Sequence, residues 1–179
     1  VFAARMMTQR QQGLICTISS WGAMSYLFSV PYGVGKTACD RLAADMAIEL
    51  KDYNVTSLSI WPGIVGTENI INLAKQQSDD QSLSSFFKDG YNWETPLLTG
   101  RAIAALASNS QIIKRTGKVQ VVAEIAKKYS LVDEGGNRPV SLRSLRFICP
   151  SIFPQLKQYS QLIPDLNLPW LVLLLTALP

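Results

Sequence analysis

Apolar residues along this chain come in two kinds of run, and the alternation between them predicts most of its organisation. Residues 13–20 (GLICTISS) form a short apolar run ending in hydroxyls, which suits a buried parallel strand. Residues 32–53 instead space Val34, Ala38, Leu42, Met46 and Leu50 at helical intervals, with Asp40, Asp45 and Glu49 on the opposite face. Pro31 before that run and Asn54 after it are fitting helix boundaries. Residues 55–61 (VTSLSIW) read as the next strand, stopped by Pro62-Gly63. Strand, helix and strand in this order predict a βαβ unit in a parallel sheet.

Beyond it the pattern loosens. Residues 67–94 are polar and turn-rich, which predicts short helices within a long excursion. A helix is expected from Thr95-Pro96 through Ile103 and Leu106, and a last strand over residues 118–122. Residues 133–154 read as loop, and the apolar end, broken by Pro164 and Pro169, is far too short to span a bilayer. The chain opens on Val1 within an apparent helix that lacks an N-cap or a signal-peptide pattern, so it is expected to begin inside a larger protein.

Composition narrows the chemistry. The 179 residues can bury a core, being 47% hydrophobic and 17% charged. Histidine is absent, which removes Ser-His-Asp and Cys-His hydrolysis, histidine-containing zinc sites and histidine acid–base work. Cys16, Cys39 and Cys149 lie far apart and read as small apolar residues rather than a metal cage or disulfide frame. Charge is uneven: residues 1–90 hold 7 basic against 8 acidic side chains, and residues 91–179 hold 10 against 5. A basic half without a nucleic-acid reading motif predicts a solvated face, or a membrane-facing one, and no nucleic acid.

Two glycine-rich readings fail. A phosphate loop would need glycine at position 30, which is Val30. The G-x-G-x-x-A at Gly33, Gly35 and Ala38 follows Pro31 rather than a strand, and no acidic residue closes the next strand to hold a ribose. Tyr32 and Lys36 carry more. Four residues apart, they share one face at a helix N-terminus, where a cation and the helix dipole together favour a phenolate. Ser20, at the end of the preceding strand, is a candidate donor to a substrate oxygen. Strand alternation makes Ser19 or Ser20 an either-or choice.

Taken in order, Ser19-Ser20 at a strand end, Y-G-V-G-K opening a helix and P-G-I-V-G-T closing a strand resemble the short-chain dehydrogenase/reductase family from about residue 13 to 67. The resemblance implies an α/β, Rossmann-like, three-layer fold with a parallel sheet, truncated at its N-terminal side. It covers only the family's second half, so the glycine-rich cofactor turn lies outside it. Residues 1–130 would form the C-terminal half of the oxidoreductase domain, with 68–94 as the substrate-loop excursion and 131–179 as a basic, apolar extension. The implied function is hydride transfer between NAD or NADP, with NADP slightly favoured, and a carbonyl or alcohol. The chain alone is expected to be inactive.

The same resemblance gives the roles. Tyr32 would be the general acid/base, Lys36 its tuning cation and a ligand of the nicotinamide ribose, and Ser20 the group orienting the substrate oxygen. Pro62, Gly63 and Ile64 would lie along the nicotinamide and Thr67 near its carboxamide or the diphosphate, with no metal involved. Phe86, Phe87, Tyr91 and Trp93 would suit a small apolar carbonyl or alcohol substrate. A homo-oligomer and peripheral contact with an intracellular membrane complete these expectations, with cytoplasmic placement otherwise. The alternative is a non-catalytic membrane-peripheral or interaction module using the basic, apolar C-terminal region.

Overall fold

The structure is a computed structural model that describes residues 2–76 and 90–177. Helix α1 (Phe2–Arg10) leads into strand β1 (Gly13–Ile18), a 3₁₀ turn at Trp21–Ala23, helix α2 (Val30–Leu50) and strand β2 (Val55–Trp61). Strand β3 (Ile64–Val65) and helix α3 (Glu68–Gln76) follow, then strand β4 (Trp93–Glu94), helix α4 (Pro96–Ala107), strand β5 (Val119–Val121) and helix α5 (Val122–Lys128). The chain ends with helix α6 (Leu145–Ile152), a 3₁₀ segment at Pro154–Leu162 and helix α7 (Trp170–Ala177).

The main sheet has the order β1-β2-β5 and is parallel throughout. Its register places Gly13 beside Val55 and Ile18 beside Ile60, while Trp61 pairs with Val121. Every residue of β2 is buried, as a central strand covered on both faces requires. Leu58 and Ile60 point to one face, where Leu98, Ala102 and Leu106 of α4 and Val122, Ile125 and Ala126 of α5 complete the core. The alternate residues Ser59 and Trp61 face α2, which packs on them. Three layers result, helix, sheet and helix. A separate parallel ladder pairs Ile64 with Trp93 and Val65 with Glu94.

Several expectations need correction. Strand β1 stops at Ile18, two residues early, because Ser20 turns away to cap the 3₁₀ turn with its side chain. Helix α2 starts at Val30, where Ser29 caps it by accepting from the Tyr32 amide at 3.4 Å. Its facing also differs. Val34 is 65% exposed and Leu42 51% exposed, whereas Ala43 and Ala47 are buried. Asp40, assigned to the outer face, instead accepts hydrogen bonds from Ser59 Oγ at 2.5 Å and Trp61 Nε1 at 2.9 Å. Small residues face the sheet because α2 lies close against it, and the polar contact turns Asp40 inward. Residues 145–152, read as loop, are helix α6 despite Pro150, with Ser144 capping it through the Arg146 amide.

The C-terminal segment is stitched to the core. Arg143 reaches Glu124 of α5 through Nε at 2.7 Å and Nη2 at 3.0 Å, and Asp165 pairs with Lys127 at 2.5 Å. Burial alone would raise the Asp165 carboxyl, but hydrogen bonds from Lys127 and Ser144 hold it below the usual range. The Leu145 amide donates to Leu166 and the Leu168 amide to Arg143, so residues 163–168 run beside the start of α6. Trp170 then sits edge-on to Trp61, with centroids 5.7 Å apart. Among the described residues no helix is long and apolar enough to cross a membrane.

Candidate active site

Ser20 leaves β1 in extended conformation and its Oγ accepts from the Gly22 amide at 3.2 Å, which fixes its rotamer. The same Oγ lies 2.9 Å from Tyr32 Oη, and either hydroxyl can be the donor. Tyr32 is placed by the first turn of α2, and its ring meets Phe28 edge-on at 5.0 Å. Gly22 is the other wall: a Cβ there would stand 2.6 Å from Tyr32 Cε1, so only glycine lets the ring approach. One turn along α2, Lys36 Nζ lies 5.5 Å from the centroid of the Tyr32 ring and donates to the Ile18 carbonyl at 3.2 Å. The ammonium is thereby anchored to the end of β1.

Ser19 has a different place. It is buried, its amide extends the ladder to the Ile60 carbonyl at 2.9 Å, and its Oγ donates to the Lys36 carbonyl at 3.0 Å. It holds α2 against β1, while Ser20 is the serine that meets Tyr32. Thr37 adds a second tie, its hydroxyl donating to the Ala23 carbonyl at 3.0 Å.

Pro62, Gly63 and Ile64 form the turn that leaves the C-terminal end of β2, with Pro62 buried. Thr67 starts α3, where its Oγ1 accepts from the Ile70 amide at 3.4 Å. Strand β4 braces this turn. The Gly66 amide donates to the Glu94 carbonyl at 2.9 Å, and a Cβ on Gly66 would come within 2.9 Å of the Trp93 ring. The Glu94 side chain lies against Gly63, where a Cβ would fall 2.6 Å from Oε1. Sequence reasoning passed over Glu94, because its partner is 31 positions away and no local pattern marks the pair. Of the aromatic residues assigned to the excursion, Phe86 and Phe87 lie outside the described residues. Tyr91 stacks on Phe147 at 6.3 Å and donates to the Arg146 carbonyl at 2.8 Å, so it binds the excursion to α6.

A hydroxyl pair at a sheet's C-terminal edge, a lysine one turn on and a glycine turn beside them can exchange a proton with a carbonyl or alcohol oxygen. Comparison with known proteins gives the lineage. A profile of the short chain dehydrogenase family matches residues 1–78. The human dehydrogenase/reductase SDR family member 1 is 44% identical over 142 residues, covering 78% of this chain and 45% of that protein. The chain belongs to the short-chain dehydrogenase/reductase family. It spans less than half the length of that short-chain dehydrogenase/reductase relative. Among solved structures, 4-hydroxyisoleucine dehydrogenase complexed with NADH is 25% identical, with a TM-score of 0.50 over 67% of this chain and 49% of that one. ElxO with NADP bound, 23% identical, has a TM-score of 0.54 over 68% of this chain and 49% of its own, and shows the shared Rossmann-like fold.

Proposed function

We propose that this chain supplies the catalytic half of an NAD(P)-dependent oxidoreductase that interconverts a small apolar carbonyl compound and its alcohol. The observation that carries this reading is the 2.9 Å contact of Ser20 Oγ with Tyr32 Oη beside the Lys36 ammonium. Ser20 orients the substrate oxygen by a hydrogen bond, and Tyr32 Oη exchanges the proton with that oxygen. Lys36 stabilises the negative charge that develops on the Tyr32 oxygen.

The residues present fit the nicotinamide end of the cofactor. Lys36 spends one N–H on Ile18, leaving two for ribose hydroxyls. Gly63 follows β2 with one face of its Cα covered by the Glu94 carboxyl. Pro62, Gly63 and Ile64 would flank the ring and Thr67 its carboxamide or the diphosphate; when bound, the cofactor supplies or accepts the hydride. The NADH of the 4-hydroxyisoleucine dehydrogenase supports this class of cofactor, NAD or NADP.

Residues 1–130 then form the catalytic unit, with 68–94 as the substrate-loop excursion, and residues 131–179 a basic, apolar extension. The exposed Val34 and Leu42 on α2 support a homo-oligomer, and the exposed Leu162 and Leu171 support peripheral membrane contact for a protein otherwise placed in the cytoplasm. Tyr32→Phe tests the chemistry. In the full-length protein, turnover should fall by at least about a hundredfold, the scale of positioned acid–base catalysis, with cofactor affinity within a few-fold. Turnover close to that of the wild type would overturn the assignment.

A further inference from the structure

Glu94 is 1% exposed, and neither of its carboxyl oxygens has a hydrogen-bonding partner of good geometry. A buried carboxyl left in that state costs stability. The strand that bears it is held firmly. The main chain of β4 pairs with β3, and the Thr95 amide and hydroxyl donate to Asp133 at 2.6 Å and 2.5 Å. The main chain at Glu94 is thus fixed, and its buried head group lies against the Cα of Gly63, the carboxyl carbon only 3.0 Å from where a Cβ would stand. Burial pushes this carboxyl up to about 7, a weak interaction with the Gly63 amide offsets part of the rise, and the nearby Asp133 adds to it.

We infer that Glu94 is a positioning residue for the Pro62-Gly63-Ile64 turn, its buried head group setting the backbone against which the nicotinamide ring would lie. This rests on the functional reading above. The carboxyl acts through Gly63 and touches no substrate. Asp133, itself buried, is the charged group that faces it from the segment before the Glu134–Gly136 turn.

Two measurements separate the inference from the reading beneath it. In the full chain, the Gly63 amide nitrogen resonance should titrate with Glu94, and Glu94→Gln should abolish that titration. A Gly63 resonance indifferent to Glu94 overturns the inference whatever the protein catalyses. In the full-length protein, Glu94→Leu should raise KM for the dinucleotide about tenfold with kcat within about threefold, while Glu94→Gln restores KM to within about threefold. Equal loss in kcat and KM, or no loss, overturns the positioning role. Should Glu94→Leu not fold, Gly63→Ala takes its place: the added methyl should weaken dinucleotide binding more beside Glu94 than beside Glu94→Ala. Equal weakening in both backgrounds overturns the inference. If the wild-type protein binds no dinucleotide, the functional reading falls, and the resonance of Gly63 still decides whether Glu94 sets the turn.

Discussion

Gly22 and Glu94 are the two residues on which the geometry of the site turns, and neither announces itself in the sequence. Gly22 gives the Tyr32 ring its wall, and Glu94 gives Gly63 its floor. The buried carboxyl also carries a pH signature. Its folded-state value is raised from 4.5 to about 7, so the folded protein keeps a proton that the unfolded chain releases. That contribution is fully present below about pH 4.5 and is lost as pH rises to about 7, amounting to roughly 3 kcal/mol. Denaturant midpoints at pH 5 and pH 8 should therefore differ more in wild type than in Glu94→Gln, wild type being the one that loses stability. An equal change in both proteins would show that the carboxyl does not titrate in that range. Ser20, Tyr32 and Lys36 could be picked out beforehand because their relation is local, twelve residues and one helical turn. Glu94 depends on a contact between two distant segments, which no spacing encodes.

Strand β1 and helix α2 are the pair of elements that brings Ser20 Oγ to 2.9 Å from Tyr32 Oη. A short apolar run and a helical period made both readable, but the side α2 presents to the sheet was not. Hydrophobic size favoured Val34 and Leu42, whereas the sheet accepts only Ala43 and Ala47 over its serines. Asp40 decides the rotation of the helix, since it satisfies both the buried Ser59 hydroxyl and the buried Trp61 indole. Asp40→Ala leaves those two donors unpaired and should cost about 2–4 kcal/mol, read as a lower denaturant midpoint with an unchanged slope. Asp40→Asn keeps one acceptor oxygen and should lose less. A wild-type midpoint in Asp40→Ala would remove Asp40 from the account of how α2 is seated. Helix α6 escaped sequence reasoning for a related reason. Its basic and proline residues look like loop, and it is stabilised by the Ser144 cap and by the strand-like segment 163–168 alongside.

Over the whole molecule, one half is built around the site and the other is tied to it by ions and tryptophans. The tie at Arg143 and Glu124 joins α5 to the extension, and the Lys127–Asp165 pair reinforces it. Outside those contacts the extension keeps apolar side chains in water, Leu162 at 81% and Leu171 at 67% exposure. If they serve a membrane surface, Leu162→Asp with Leu171→Asp should cut flotation with anionic vesicles by at least about fivefold and leave the fold intact by circular dichroism. Unchanged flotation would remove the membrane from the proposed function. The packing of the extension has an optical corollary. All four tryptophans of the chain surround the proposed cofactor turn: Trp21 follows Ser20, Trp61 precedes Pro62, Trp93 underlies Gly66, and Trp170 leans on Trp61. The protein thus contains its own unlabelled reporter, in which intrinsic emission reads the state of one small region rather than an average over the fold.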